Sequence, residues 1–259
     1  MLAESFDMTS LAEISLSRPC PVAFPTSSTS SSMNTSHAFL MQPSGSHDSS
    51  RPGNGLPPGI VYAHGGPTKH HRPSVNLDSR YFPSCGYAVV LLNHVGSTGY
   101  GSAYRDAMDG QWGVEDVQDA VDCVDYLAKA GNIDPKRVGI VGGSAGGYLT
   151  LQAICTNPDV WSGAVSLYGI SDMKGFARTS HKFESCFDHL LVRGRSSLCS
   201  EPHNEPTTRQ PAQPEDTRVE CHDAESTSLL KLYNDRSPIN HIDLYKRLFC
   251  YYKEQTTLL

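Results

Sequence analysis

Residues 138–150 read Val-Gly-Ile-Val-Gly-Gly-Ser-Ala-Gly-Gly-Tyr-Leu-Thr, with Ser144 at the centre of a G-x-S-x-G motif. An apolar run precedes the serine and a helix-competent run follows it, which predicts a strand, a sharp turn and a helix. Bulky neighbours in such a turn would collide with the adjacent strand and helix. The stretch therefore predicts that Ser144 is a nucleophile. The alternative is a glycine-rich turn with a spectator serine.

Apolar and amphipathic segments alternate on both sides of this motif. Residues 60–63, 86–93 and 163–167 are short apolar runs, as expected for parallel strands that are buried on both faces. Residues 114–130 carry apolar side chains at spacings of three and four, which predicts an amphipathic helix. Strands that alternate with helices predict an α/β fold with a doubly wound, mostly parallel sheet.

The first turns of the helix over residues 114–130 are acidic. Glu115, Asp116 and Asp119 crowd this end, where the helix dipole favours anions. Gly131 is the expected C-cap of this helix.

A second glycine-rich turn, His-Gly-Gly-Pro at residues 64–67, closes an earlier strand. It has the position and composition of a loop that supplies an oxyanion donor, so we expect the Gly65 or Gly66 amide to act with the amide of Ala145. The alternative is a plain tight turn. His64 comes too early in the chain to be the base, and we expect it to shape the loop by hydrogen bonding.

The chain divides at about residue 55. Residues 1–55 are rich in Ser, Thr and Pro and read as partly disordered, with apolar pieces at 21–24 and 38–41 that could pair as a hairpin. Residues 56–259 form the expected folded domain. Residues 194–226 are polar and aperiodic, which predicts an exposed or disordered insertion.

Composition excludes several classes of protein. The net charge is −6 and no long run of Lys and Arg is present, so neither nucleic acid nor an anionic membrane is an expected partner. The eight cysteines form no C-x-x-C pair and do not stand at metal-ligand spacing with His, so no metal and no cofactor is predicted. The N-terminus has no secretory signal and no stretch is long enough for a membrane span, which predicts a cytoplasmic protein.

Several motifs in register resemble the catalytic domain of the prolyl oligopeptidase family, which includes dipeptidyl and acylaminoacyl peptidases. The matching segments are residues 64–67, 93–101, 112–119, 142–150, 181–185 and 236–239. The resemblance implies an α/β-hydrolase domain that cleaves peptide or acyl-amino bonds of short peptides. Family members usually carry a β-propeller ahead of this domain, but the residues before Pro58 are too few and too polar to form one. We also expect the last strands of the domain to be missing.

The chain departs from the family pattern at one position inside the matching segments. A second departure affects the catalytic triad of Ser, Asp and His. Val95 stands where the family usually has Arg. The positions that match the family's catalytic Asp and His fall beyond the end of the chain, so the catalytic His is unknown and expected to be absent. A weak surrogate acid is Asp172, whose alternative role is to cap a turn or helix. Five histidines follow the serine: His181, His189, His203, His222 and His241.

Three hypotheses remain open at this point. The first is a serine peptidase of short peptides that forms an acyl-enzyme on Ser144. The second is an inactive, truncated member of the same family, because a serine without a base is a poor nucleophile. The third is a carboxylesterase or lipase, which shares the strand–serine–helix turn and the oxyanion loop. The sequence predicts no oligomeric state.

Overall fold

The structure is a computed structural model that describes the following residues: 17–27, 34–44, 55–74, 77–179, 189–194, 227–244 and 249–252. The predicted insertion at 194–226 lies outside the described residues except for its first residue, Gly194. The family-like segment 181–185 also lies outside them.

Seven described strands form one sheet. They are β1 (Cys20–Pro25), β2 (Thr35–Met41), β3 (Gly59–Ala63), β4 (Ala88–Asn93), β5 (Val138–Gly143), β6 (Gly163–Leu167) and β7 (Phe249–Tyr252). Their order across the sheet is β1-β2-β4-β3-β5-β6-β7. Across the sheet from β4 through β3, β5 and β6 to β7, neighbouring strands are parallel. On the other side, β1 pairs antiparallel with β2, and β2 pairs antiparallel with β4. The predicted α/β fold with a mostly parallel sheet is confirmed.

Six α-helices accompany the sheet in the described residues. They are α1 (Leu77–Ser84), α2 (Ser102–Asp106), α3 (Glu115–Lys129), α4 (Ala145–Thr156), α5 (Met173–Thr179) and α6 (Thr227–Asp235). A π-helical turn spans His189–Arg193 and a 3₁₀ segment spans Pro238–Leu244. The predicted amphipathic helix is thus α3, and Gly131 follows it with a φ of 71°, as a C-capping glycine requires.

The main core lies between the sheet and helices α3 and α4. It combines strand residues such as Val61, Val90 and Ile140 with Val124 of α3 and Leu149 of α4, all of them buried. A smaller cluster on the opposite face joins Met41, Val89 and Leu91 to Phe82 of α1. Helices therefore cover both faces of the sheet, which explains why β4 is apolar at almost every position.

The N-terminal hairpin is longer than its two apolar pieces and belongs to the same sheet as the rest of the domain. β2 pairs with β4, and β1 forms the outer edge. Phe24 is buried in the main core, and the Ser27 amide donates a hydrogen bond of 2.6 Å to the Asp122 carboxylate of α3. Pro21 and Pro25 fit an edge strand, because proline cannot donate to a neighbouring strand.

Strand β6 corrects one expectation. It was expected to be buried on both faces, but Val165 is 37% exposed while Ala164 and Ser166 are buried. Within the described residues, helices cover only one face of β6, so its side chains alternate between buried and exposed.

Candidate active site

Ser144 joins β5 to α4, with a φ of 56° and a ψ of −120°. A positive φ is uncommon for a residue that carries a Cβ and is held only where the surrounding structure demands it. The Ser144 amide donates to the Leu167 carbonyl over 3.0 Å, and the Tyr148 amide donates to the Ser144 carbonyl over 3.0 Å. Ser144 is exposed. Strand, strained serine and helix thus have the geometry that the motif predicts.

The glycines around Ser144 are explained by close backbone approaches. A Cβ on Gly142 would collide with the Gly146 carbonyl, and a Cβ on Gly146 would collide with the Ala63 carbonyl at the end of β3. A Cβ on Gly147 would lie 2.7 Å from the Cα of Gly169. Helix α4 therefore starts directly against the ends of β3 and β6, and no side chain larger than hydrogen fits between them.

Gly65 lies beside the serine. A Cβ on Gly65 would be 3.6 Å from the Ser144 Cβ and 3.1 Å from the Gly143 carbonyl. Chain order explains this contact: β3 continues to β4 on one side, and the chain then returns to β5 on the other side of β3. The loops after β3 and β5 meet at this switch point, where open α/β sheets bind their ligands.

Backbone amides from two loops lie at this point. Ala145 is the first residue of α4, and the first amides of a helix have no acceptor within the helix. Gly66 continues the neighbouring loop with a φ of 132°. The structure therefore brings Ser144, Ala145 and the Gly65–Gly66 loop together at one edge of the sheet.

His64 supports this loop through side-chain contacts. Its Nε2 lies 2.9 Å from the Ser97 hydroxyl and its Nδ1 lies 3.0 Å from the Gly65 carbonyl. Its ring stacks on His94 with centroids 4.5 Å apart. Burial, with His94 as the next cause, lowers the pKa of His64 to about 3, so the imidazole is neutral at pH 7. These contacts agree with the expected role in shaping the loop.

Two carboxylates of α3 do more than the favourable interaction with the helix dipole that the sequence predicts. Asp116 and Asp119 are buried and accept hydrogen bonds from loop amides: Gly113 to Asp116 over 2.7 Å, and Val95 to Asp119 over 2.7 Å. Burial raises the pKa of Asp116 to about 7 and that of Asp119 to about 6. They tie the loops before α2 and α3 to the helix. The sequence contains a signal for the burial of Asp116, because residue 116 lies on the same helix face as the buried Cys123, two turns further on.

Arg236 was seen in the sequence only as part of a motif, and its contacts give it a structural role. Its guanidinium donates to the carbonyls of Gly110 and Trp112, each over 2.9 Å. Its own carbonyl accepts a 3.0 Å hydrogen bond from the Tyr148 hydroxyl of α4. Arg236 thus connects the turn before α3 to helix α4, which begins directly after Ser144.

Val95 has an apolar environment where the family pattern has arginine. It is buried and packs in a cluster with Tyr104, Met108, Trp112 and Tyr148. Ala145 belongs to the same cluster. The cluster therefore packs beneath the start of α4 and supports it with apolar contacts.

Neither the surrogate acid Asp172 nor His241 forms a hydrogen bond with Ser144. Asp172 is exposed, and its carboxylate accepts a 3.0 Å hydrogen bond from the Gly175 amide in the first turn of α5. His241 Nε2 lies 3.0 Å from the Asp235 carbonyl. The side chains of His181, His189, His203 and His222 lie outside the described residues.

Two further searches cover only these described ranges. No group of three or more His, Cys, Asp or Glu side chains is arranged for a metal ion. No described helix is both long enough and apolar enough to cross a bilayer.

Comparison with known proteins gives a consistent picture. Residues 73–196 match the model of the prolyl oligopeptidase family. The chain is 32% identical over 144 residues to acylamino-acid-releasing enzyme 1 of Oryza sativa subsp. japonica, a match that covers 56% of this chain and 19% of that protein. It is 30% identical over 136 residues to dipeptidyl aminopeptidase BIII of Pseudoxanthomonas mexicana, covering 52% of this chain and 20% of that protein. The chain thus spans about a fifth of the length of these curated relatives.

Solved structures agree with this assignment. A puromycin-hydrolyzing peptidase of Mycobacterium tuberculosis is 32% identical with a TM-score of 0.72, and the match covers 96% of this chain and 32% of that one. A puromycin hydrolase is 29% identical with a TM-score of 0.72, covering 91% of this chain and 30% of that one. These matches show a prolyl oligopeptidase family domain over residues 73–196, and the relatives that they name are serine peptidases by family.

Proposed function

We propose that this domain hydrolyses peptide or acyl-amino bonds of short peptides, with Ser144 as the nucleophile and an acyl-enzyme as the intermediate. The observation that carries the proposal is the contact between the Gly65 loop and Ser144, 3.6 Å from the position of a Gly65 Cβ to the Ser144 Cβ. It puts an exposed, strained serine next to backbone amides from two different loops. In this role Ser144 Oγ attacks the carbonyl carbon, and the amides of Ala145 and of Gly65 or Gly66 stabilise the oxyanion.

The names of the relatives support the type of bond. They include acylamino-acid-releasing enzymes and a dipeptidyl aminopeptidase. Both names describe the release of a short N-terminal unit from a peptide, so the proposed substrate is a short peptide with a free or acylated N-terminus.

We further propose that residues 1–259 carry this nucleophile without its acid–base pair. Two observations support this: the Asp172 carboxylate caps α5, and His241 contacts the Asp235 carbonyl. Triad members act as a unit, so a serine without its base retains only the residual catalysis of the oxyanion hole and of binding, about 10³- to 10⁴-fold over water.

Active-site labelling tests both proposals on the purified chain. A fluorophosphonate probe should label Ser144 slowly, and Ser144→Ala should abolish the label. The alternative that Ser144 is a spectator predicts no label on the wild-type chain. Labelling that is complete within minutes would contradict the absence of the acid–base pair.

Substrate turnover separates the proposed class from the esterase alternative. An N-acetyl-aminoacyl anilide should be cleaved at a low rate, and Ser144→Ala should change that rate little, because the residual catalysis comes from the oxyanion hole and from binding. Turnover of a short-chain ester with no turnover of the anilide would favour a carboxylesterase over a peptidase.

A further inference from the structure

Tyr168 has an unusual combination of backbone conformation and exposure. It follows β6 directly, has a φ of 43°, and is 52% exposed. Within the described ranges, Ser144 and Tyr168 are the two residues other than glycine with a positive φ. Such a conformation is unfavourable for a bulky residue, and strained residues of this kind cluster at functional sites.

The ring of Tyr168 lies against the residue that precedes the nucleophile. A Cβ on Gly143 would be 2.9 Å from the Tyr168 Oη and 3.1 Å from its Cζ. Gly143 pairs with Leu167 in the parallel register of β5 and β6. Ser144 and Tyr168 are therefore the next residues on two adjacent strands, side by side at the carboxyl edge of the sheet.

Folding alone gives little reason for this tyrosine. Its ring lies against Gly143 and leaves 52% of its surface exposed, so about half of the side chain is open to a ligand. Within the described part of the chain, its hydroxyl has no hydrogen-bond partner. A tyrosine in this situation offers a rigid apolar face together with a polar group at its tip, a combination that suits ligand contact.

We propose that Tyr168 is a substrate-contacting residue of the site at Ser144. Its ring forms one wall of the subsite that takes an apolar side chain of the peptide, and its hydroxyl donates a hydrogen bond to a carbonyl of the peptide backbone. The inference rests on the proposed function of Ser144 and adds a specificity determinant to it.

The test measures peptide binding without requiring catalysis. Ser144→Cys introduces a thiol at the start of α4, where a helix N-terminus favours the reactive thiolate. Alkylation of that thiol by iodoacetamide is followed by mass spectrometry of the peptide that contains it. Protection by N-acetyl-Phe-Gly-amide then reports occupancy of the site in the full 259-residue chain.

Tyr168→Gly is the informative truncation, because glycine adopts a positive φ without strain. In the Ser144→Cys background it should leave the melting temperature the same or higher and raise the half-protecting peptide concentration about tenfold, the equivalent of about 1.4 kcal/mol. Tyr168→Phe should raise it about threefold, as expected for one lost hydrogen bond. Tyr87→Gly, an exposed tyrosine at the amino end of β4 and so at the opposite edge of the sheet, should not change it.

Failure of the inference and failure of the proposed function give different results. Unchanged protection in Tyr168→Gly would overturn the inference and leave the proposed function standing. No protection in the Ser144→Cys chain with Tyr168 intact would overturn the proposed function and the inference with it.

Discussion

Replacing Arg236 by Met should destabilise the domain by about 3 kcal/mol. Two hydrogen bonds from the guanidinium, to the carbonyls of Gly110 and Trp112 at 2.9 Å each, are lost. Hydrogen bonds to charged groups contribute about 1.5–3 kcal/mol each. We use the lower limit for both, because Arg236 is only partly buried and water can reach the vacated carbonyls. Arg236→Lys should lower the free energy of unfolding by about half as much, because an ammonium group lacks the planar guanidinium geometry that donates to both carbonyls at once.

Equilibrium urea unfolding provides the measurement. The chain has two tryptophans, and one of them, Trp112, supplies a carbonyl to Arg236, so intrinsic fluorescence reports on the affected region. We expect a lower midpoint with an unchanged slope, because the surface exposed on unfolding stays the same. A loss below about 1 kcal/mol for Arg236→Met would refute the reasoning, since the two bonds would then contribute less than a typical single one.

A double-mutant cycle with Asp116→Asn isolates the electrostatic part. Arg236 faces the buried Asp116 and acts to lower its pKa, against the larger effect of burial. Removing the arginine should therefore cost on the order of 1 kcal/mol less in the Asp116→Asn background. Strict additivity of the two losses in unfolding free energy would show that the Asp116 carboxyl group does not interact with the Arg236 guanidinium.

Three further predictions concern packing and pH. Gly146→Ala should cost about 3 kcal/mol or more, because the new methyl group collides with the Ala63 carbonyl; wild-type-like urea unfolding would contradict that contact. Leu149→Ala removes a fully buried side chain and should lower the free energy of unfolding by about 2–5 kcal/mol, measured the same way, with a loss under about 1 kcal/mol as the contrary result. Burial raises the pKa of Asp116 to about 7, so the folded chain keeps a proton that the unfolded chain releases from about pH 4. The stabilisation of the folded state by this proton is fully present below pH 4 and is lost as the pH rises through 7. The unfolding free energy of wild type minus that of Asp116→Asn should therefore fall between pH 4 and 8. A difference that stays constant over this range would contradict the raised pKa.

The elements around Ser144 could be predicted because local pattern and tertiary structure agree there. The apolar run before the serine is β5, the small residues are where backbones touch, and the following run is α4. The spacing of three and four in residues 114–130 likewise matches α3. In each case one short segment contains the whole signal, so no knowledge of distant contacts is needed.

Contacts between distant segments could not be predicted in this way. The acidic start of α3 satisfies the helix dipole in solvent as well as in a core, so composition alone does not reveal that Asp116 and Asp119 are buried. Their partners, Gly113 and Val95, come from loops whose paths depend on the fold. Tyr168 is a similar case, since tyrosine has no preference for a positive φ and only the closeness of Gly143 identifies the position.

The bond between Arg236 and the Gly110 carbonyl spans 126 residues of chain, and this separation has a consequence for synthesis on the ribosome. At about 5–20 residues per second, Arg236 is added roughly 6–25 s after Gly110. During that interval the strands up to β6 and helix α4 have already emerged or are emerging, while the turn before α3 lacks its clamp. The nascent domain therefore passes through a period in which the turn before α3 lacks the two hydrogen bonds from Arg236. Its other contacts are the apolar cluster, the Asp116 carboxylate and the hydrogen bonds from the Gly110 and Trp112 amides to the Leu190 and Leu191 carbonyls. This is the stage at which chaperone binding would protect the domain.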